Sequence, residues 1–149
     1  MKESIIVSMF FCGVMMTAFS SFACPEWGQG KTGVIVVDVQ GDFTTWKKGS
    51  LAVNGADKEY VEKVQKATEV LSKEGYLIFG TQDWHPSDHV SFYTQHDGKK
   101  PFETIQIEGR SQVLWPPHCI QGTENARVLV DNNPFWAIVK KGTNSRYYA

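Results

Sequence analysis

One carboxylate and two imidazoles, those of Asp83, His85 and His89, fall within seven residues of the sequence. They directly follow an apolar run, residues 76–79, whose composition favours a buried strand. Because residues two apart in an extended chain project to the same side, Asp83 and His85 can face one point. Pro86 favours a turn that could bring His89 back to the same point. This set of ligands suits a borderline divalent ion such as zinc.

The same spacing also has a simpler interpretation, in which the carboxylate caps a turn and the histidines lie in water. A fourth ligand would favour the metal site, and His118 is a candidate for it. It closes the sequence Trp115-Pro116-Pro117-His118, where two prolines make a stiff extended approach that can hold an aromatic ring and an imidazole at set positions. Considered alone, His118 would be an ordinary loop histidine.

Two further charged residues fall at predicted strand ends. Asp38 follows the β-branched run of residues 34–37, which is typical of a parallel strand covered on both faces. Lys141 follows the apolar strand predicted for residues 135–139. A lone acid at such a place usually caps a turn, and a lone lysine is usually solvated. Whether Asp38 and Lys141 have a functional role depends on which other side chains lie near them.

The intervening elements bring these ends together. Apolar side chains at helical spacing predict an amphipathic helix over residues 56–74, with Tyr60 or Val61 beginning its buried stripe. Strand, helix and strand then form a right-handed βαβ unit that places Asp38 and Asp83 at one sheet edge. Residues 90–112 lack periodicity and are predicted to form a long loop, and residues 126–130 a weak segment.

Composition narrows the classes of protein and partner. A chain of 149 residues suffices for one domain with a real core. Fifteen basic and sixteen acidic residues, without a basic block, argue against a nucleic-acid partner. The sequence does not indicate the oligomeric state.

The first 23 residues predict a cleavable secretory signal peptide. Residues 5–18 are almost wholly apolar but shorter than the roughly 20 residues of a membrane span. Small residues at Ser21 and Ala23 match a signal-peptidase site. We therefore expect a signal over residues 1–23, a linker over 24–32 and one domain over 33–149. The mature protein would be periplasmic or secreted, without a membrane span; lipid attachment at Cys24 is the alternative.

The three cysteines give little direct information. Cys12 would leave with the signal, and Cys24 and Cys119 would be able to pair in an oxidising compartment. Sequence positions do not show whether they lie within bonding distance.

Four motifs together resemble the nicotinamidases (pyrazinamidases) of the isochorismatase-like hydrolase family. They are Val37-Asp38-Val39-Gln40-Gly41-Asp42-Phe43, Asp83-Trp84-His85, Trp115-Pro116-Pro117-His118-Cys119 and Lys141-Gly142. Each is modest alone, but their combination and order are specific over residues 33–149. The resemblance implies a three-layer α/β/α fold with a mainly parallel sheet.

By that resemblance, the chain would use a divalent metal to convert nicotinamide to nicotinate and ammonia through a cysteine thioester. The metal ligands would be Asp83, His85, His89 and His118. The ion would be zinc first, with manganese or iron as alternatives, and would orient the pyridine ring of the substrate. Asp38 would be the general base and Lys141 its cationic neighbour. The aromatic slot for the small amide substrate would be lined by Phe43, Trp115 and Tyr148.

The chain departs from the family pattern in one respect. The nucleophilic cysteine of this family follows a later strand beyond the Lys-Gly motif, and Cys119 is not that residue by position. We therefore expect no nucleophile in this chain, with the C-terminal strands and helices missing. Two alternatives stay open: an inactive metal-binding remnant, and an isochorismatase-like amidase for another small amide.

Overall fold

The computed structural model describes residues 32–147; the predicted signal and linker, apart from Thr32, and Tyr148 lie outside them. Strands β1 (Gly33–Val37), β2 (Leu77–Asp83) and β5 (Phe135–Lys141) form a parallel sheet in the order β1-β2-β5. Strands β3 (Thr104–Ile107) and β4 (Arg110–Val113) form an antiparallel hairpin. Helix α1 covers Lys58–Lys73, and short 3-10 helices cover Gly41–Phe43 and Tyr93–Gln95.

The register of the sheet places the charged residues side by side. Val37 pairs with Thr81, so Asp38, the residue after β1, lies beside the last residues of β2. Asp83, the last residue of β2, pairs with Lys141, the last residue of β5. The sequence predicted that β2 would end before Asp83, whereas this strand continues through it. All three groups therefore lie at the carboxyl edge of one parallel sheet, where open α/β sheets place their sites.

Helix α1 begins and packs as its sequence predicts. Asp57 caps its first turn, since its carboxylate accepts a hydrogen bond from the Tyr60 amide at 2.8 Å. Val61 is 3% exposed and faces the sheet, whereas Tyr60 is 46% exposed, so Val61 begins the buried stripe. Among residues 32–147, no helix has the length and apolarity of a membrane span.

The two faces of the sheet differ. One face packs against α1 and the following segments, in a core built from Val36, Val39, Val61, Ile78 and Val130. The other face presents Ile35, Val37 and Val139, which are about 60% exposed (63%, 63% and 60%). Within the described part of the chain, the single α-helix thus covers one face only.

The prediction of a long loop over residues 90–112 is wrong for its second half, which forms the β3–β4 hairpin. The two strands join through Glu108 and Gly109, with φ angles of 49° and 78°. Two successive positive φ angles are the signature of a type I′ turn, for which Asn-Gly is the preferred sequence. Glu-Gly is a weak signal for that turn, and the hairpin was missed for this reason.

Replacing Glu108 by Asn should therefore stabilise the protein by about 0.5–1 kcal/mol, because Asn tolerates a left-handed backbone better than Glu. Urea unfolding of the two proteins measures the difference. Gly109→Ala is the matched change in the opposite direction and should destabilise. A Glu108→Asn variant no more stable than the parent would contradict the assigned turn.

Candidate metal centre

Three side chains from two segments of the chain converge beyond the sheet edge. The candidate ligand atoms of Asp83, His85 and His118 all lie within 4.8 Å of one another, and all three residues are buried. Asp83 ends β2, His85 follows two residues later, and His118 comes from the proline-stiffened segment. The sequence suggested only as a hypothesis that His118 lies near the other two residues. The structure places it beside them.

Backbone hydrogen bonds hold the two histidine segments together. The amide of His85 donates to the Cys119 carbonyl at 2.9 Å, and the amide of Gln121 donates back to the His85 carbonyl at 2.8 Å. The result is a parallel bridge between His85 and Ile120. This pairing sets the spacing of the two imidazoles, whose ring centroids lie 4.9 Å apart.

Hydrogen bonding also fixes the tautomers of these two imidazoles. Nδ1 of His85 lies 3.0 Å from the Gly142 carbonyl, and Nδ1 of His118 lies 2.7 Å from the Pro116 carbonyl. Because a carbonyl only accepts, each Nδ1 carries the proton and each Nε2 keeps its lone pair. Nε2 of His118 is buried without a hydrogen-bond partner, and burial lowers the pKa of this imidazole. A neutral imidazole with an orphaned lone pair fits a metal ligand.

Gly142 leaves room for the His85 ring because it has no side chain. A Cβ at this position would lie 2.2 Å from Cε1 of His85, closer than atoms can approach. The glycine of the Lys-Gly motif therefore lets the backbone carbonyl reach the imidazole and orient it.

His89, the third predicted imidazole, adjoins the cluster but points its nitrogens elsewhere. Its ring centroid lies 4.5 Å from that of His85. Nδ1 is 2.8 Å from the Ser91 hydroxyl, and Nε2 is 3.1 Å from the Tyr147 carbonyl and so donates to it. The structure brings His89 to the site without placing it in the three-residue cluster, and its role as a ligand stays a prediction.

Lys141 links the two acids of the sheet edge. Its Nζ lies 2.8 Å from Oδ2 of Asp38 and also donates to Oδ1 of Asp83. Asp38 has a φ of 49°, a left-handed conformation that is strained for a non-glycine residue, and its Oδ1 accepts the Thr81 hydroxyl at 2.7 Å. Thr81 was not singled out from the sequence, where nothing distinguishes it from other strand residues.

The surroundings of Asp83 and Lys141 favour the charged form of both groups. Burial alone would raise the pKa of Asp83, but the neighbouring His85 imidazole and Lys141 ammonium outweigh it and lower the pKa to about 2. Burial likewise opposes the charge on Lys141, yet Asp38 and Asp83 raise the pKa of that ammonium above its ordinary value. Both groups therefore stay charged across the neutral range.

Of the three predicted aromatic residues, Phe43 lies beside the cluster. The Phe43 ring centroid is 5.7 Å from that of His118. Trp115 packs edge-on against Phe102, with centroids 5.9 Å apart. Asp38 and Phe43 also line an open cavity of about 510 Å³, together with apolar side chains that include Val37, Val53 and Tyr60. Tyr148 is outside the described residues.

Comparisons with known proteins identify the arrangement. No family model matches the chain. The nicotinamidase of Acinetobacter baylyi is 44% identical over 111 residues, covering 73% of this chain and 49% of the relative. A solved pyrazinamidase of Pyrococcus horikoshii in complex with zinc aligns with a TM-score of 0.62 and 31% identity, over 80% of this chain and 56% of that one.

A yeast nicotinamidase bound to the inhibitor nicotinaldehyde aligns with a TM-score of 0.62 and 28% identity, over 74% of this chain and 56% of that one. The chain belongs to the nicotinamidase/pyrazinamidase family. It spans about half the length of the curated relatives it matches. Its fold is thus the α/β fold with a mainly parallel sheet that the sequence predicted, of the isochorismatase-like type.

In this nicotinamidase-family chain, Cys119 is a poor candidate for a nucleophile. It is a free cysteine with no exposed surface. Burial and the carboxylates of Asp42, Asp83 and Asp38 raise the pKa of its thiol, which therefore stays protonated at neutral pH. Cys24 lies outside the described residues, so a disulfide between the two stays a hypothesis.

Gln40 is a site residue of the nicotinamidase-family domain that sequence reasoning missed. Its buried side-chain amide donates to the Asp83 carbonyl and to the Ala126 carbonyl, both at 2.8 Å, while its Oε1 accepts the Asp83 amide at 2.7 Å. The backbone of the ligand-bearing residue is thus fully engaged. The one available signal was its place in the motif after Asp38, which does not reveal a bond across strands.

The lowered pKa of Asp83 makes a testable contribution to stability. Because the folded pKa of about 2 lies below the ordinary 3.8, this stabilisation is present above the ordinary value and is lost as the pH falls toward 2. It is on the order of 2 kcal/mol. Urea unfolding of the metal-free protein between pH 6 and pH 2 should show a smaller loss in Asp83→Asn than in the parent. Asp131→Asn is the control, and parallel curves for parent and Asp83→Asn would contradict the shift.

Proposed function

We propose that this chain takes part in the metal-dependent hydrolysis of nicotinamide to nicotinate and ammonia. The observation that carries the proposal is the orphaned Nε2 of His118, buried beside Asp83 and His85 and next to the Asp38–Lys141 pair. The relatives named nicotinamidase, and the yeast neighbour bound to nicotinaldehyde, support an aromatic amide as substrate.

Asp83, His85 and His118 would hold the ion, with His89 as the fourth predicted ligand. One carboxylate and two neutral imidazoles form a donor set typical of zinc, although manganese and iron accept the same ligands. The zinc complex of the Pyrococcus neighbour supports zinc first. When bound, the ion would supply an electron-pair acceptor for the pyridine nitrogen and so orient the ring.

Asp38 would act as the general base. It would take the proton of a cysteine thiol, the thiolate would attack the amide carbon, and the proton would leave with ammonia. Water would then cleave the thioester, which releases nicotinate and restores the thiol. Residues 32–147 supply the base but no exposed thiol, because Cys119 is buried. Lys141 would hold the Asp38 carboxylate in place and favour the thiolate.

Phe43, Trp115 and Tyr148 are proposed to line the aromatic slot. Phe43 already packs near His118, so a flat ring bound beside this imidazole would contact both. An aromatic amide would gain ring–ring contact as well as apolar burial there, whereas an aliphatic amide of similar size would gain only the burial. This is the basis for preferring nicotinamide over other small amides.

The metal site is tested with two histidine variants. His118→Ala should lower zinc affinity by at least tenfold, because a metal shell that loses one ligand is opened. His96→Ala is the matched control, since this ring donates to the Val90 carbonyl outside the cluster and should leave the affinity unchanged. Isothermal titration with zinc measures both. Equal affinities for parent and His118→Ala would overturn the assignment.

The reaction is tested in a chimera that joins residues 33–147 to the complementary half of the Acinetobacter baylyi nicotinamidase. Ammonia release from nicotinamide should fall about 10²–10⁴-fold in Asp38→Asn, the range expected on loss of a general base. Lys141→Met should also lose activity, whereas Lys140→Met, whose ammonium lies 4.2 Å from the Trp84 ring, is the neighbouring control. Undiminished activity in Asp38→Asn would exclude the proposed base.

We also propose that the protein is exported, on the basis of the apolar run over residues 5–18 and the cleavage site at Ala23. Expressed from Met1 in a Gram-negative host, the mature protein should begin at Cys24 and occur in the periplasm. Mass spectrometry of the N-terminus measures this. A lipid-modified Cys24 in the membrane fraction would support the alternative, and an uncleaved cytoplasmic chain would contradict export.

A further inference from the structure

We infer that Asp42, a buried acid outside the proposed reaction, is a positioning residue that aims His118 at the metal site. Its side chain reaches across the fold to the segment that carries this histidine. Oδ2 accepts the backbone amide of Cys119 at 2.6 Å, and Oδ1 accepts the side-chain amide of Asn125 at 3.2 Å. The inference rests on the proposed metal-dependent function.

Burial makes this carboxylate informative. Asp42 is 8% exposed, and a buried carboxylate is costly unless hydrogen bonds replace its hydration. Its partners are amide N–H groups, and the shortest bond goes to the residue directly after His118. A charged acceptor makes such bonds shorter and stronger than a neutral one.

The backbone at Cys119 needs support of this kind. Its φ of 47° lies in the left-handed region, which is unfavourable for a non-glycine residue. That turn carries the chain from the Pro116-Pro117 approach into the bridge with His85. If the turn relaxed, His118 would rotate away from Asp83 and His85. The bond from Asp42 opposes this relaxation.

Asp42 is itself held firmly enough to act as an anchor. Its amide donates to the Asn125 carbonyl at 3.1 Å, and its carbonyl accepts the Leu51 amide at 3.0 Å. It lies in the same 3-10 helix, Gly41–Phe43, that carries Phe43. The element that follows the proposed base thus also fixes a proposed ligand, which couples the two parts of the site.

A double-mutant cycle in zinc affinity separates this role from a general structural one. Asp42→Ala should weaken zinc binding about 10–100-fold, as loss of a group that orients a ligand does. In a His118→Ala background the same change should have no further effect, because the ligand it orients is gone. Asp42→Asn keeps an acceptor for the Cys119 amide and should lose less affinity than Asp42→Ala.

Three outcomes decide between the possibilities. Losses that add in the double variant would assign Asp42 a general structural role and overturn the inference. Zinc binding by the parent that is unchanged in Asp42→Ala would also overturn it and leave the proposed function intact. Absence of zinc binding in the parent would refute the metal-dependent function, and the inference with it.

Folding is controlled separately. Urea unfolding and circular dichroism are measured for every variant, and if Asp42→Ala does not fold, Asp42→Asn replaces it in the cycle, with a several-fold loss expected in the native background alone. Asp131→Ala removes another acid that accepts a backbone amide, that of Asn133 at 3.0 Å. Because this contact lies in an exposed turn, Asp131→Ala should leave the zinc affinity unchanged.

Discussion

The site depends on the ammonium of Lys141 lying between the carboxylates of Asp38 and Asp83. Two neighbouring carboxylates repel each other, and the cation between them offsets this repulsion. The parallel register makes the arrangement possible, because the last residues of β2 and β5 pair directly and β1 ends beside them. The cost of burying such charges offsets much of the attraction between them, whereas loss of one partner leaves the others uncompensated. Their presence at a sheet edge is therefore better explained by function than by stability.

The surrounding polar groups orient the side chains of the candidate ligands. Gln40 takes both backbone groups of Asp83, so the side chain of this acid is directed to Lys141 and, through its second oxygen, toward Nε2 of His85 at 3.7 Å. Backbone carbonyls similarly take the Nδ1 protons of His85 and His118. Each candidate ligand thus has its non-ligating atoms satisfied by the fold, which is how outer partners orient a metal site.

The sequence predicted the parts of the fold that follow from local pattern. The apolar runs before Asp38, Asp83 and Lys141 gave three strands, and helical spacing gave α1. The convergence of His118 was predicted only because several motifs resembled one family. The β3–β4 hairpin escaped because Glu108 is an unusual residue for its turn. The roles of Gln40 and Asp42 were not predicted for another reason. They consist of hydrogen bonds to residues more than 40 positions away, and no local pattern encodes them.

The tautomers bear on the kind of site this is. His85 and His118 both donate through Nδ1 to a carbonyl, whereas His89 donates through Nε2 to Tyr147. The cluster is therefore one carboxylate and two imidazoles. A structural zinc site closes its tetrahedron with four protein ligands, but a catalytic site uses three and keeps one position for water or substrate. Under the proposed function, the base and the lysine beside that position favour chemistry over a purely structural ion, and His89 would have to give up its bonds to Ser91 and Tyr147 to become a fourth ligand.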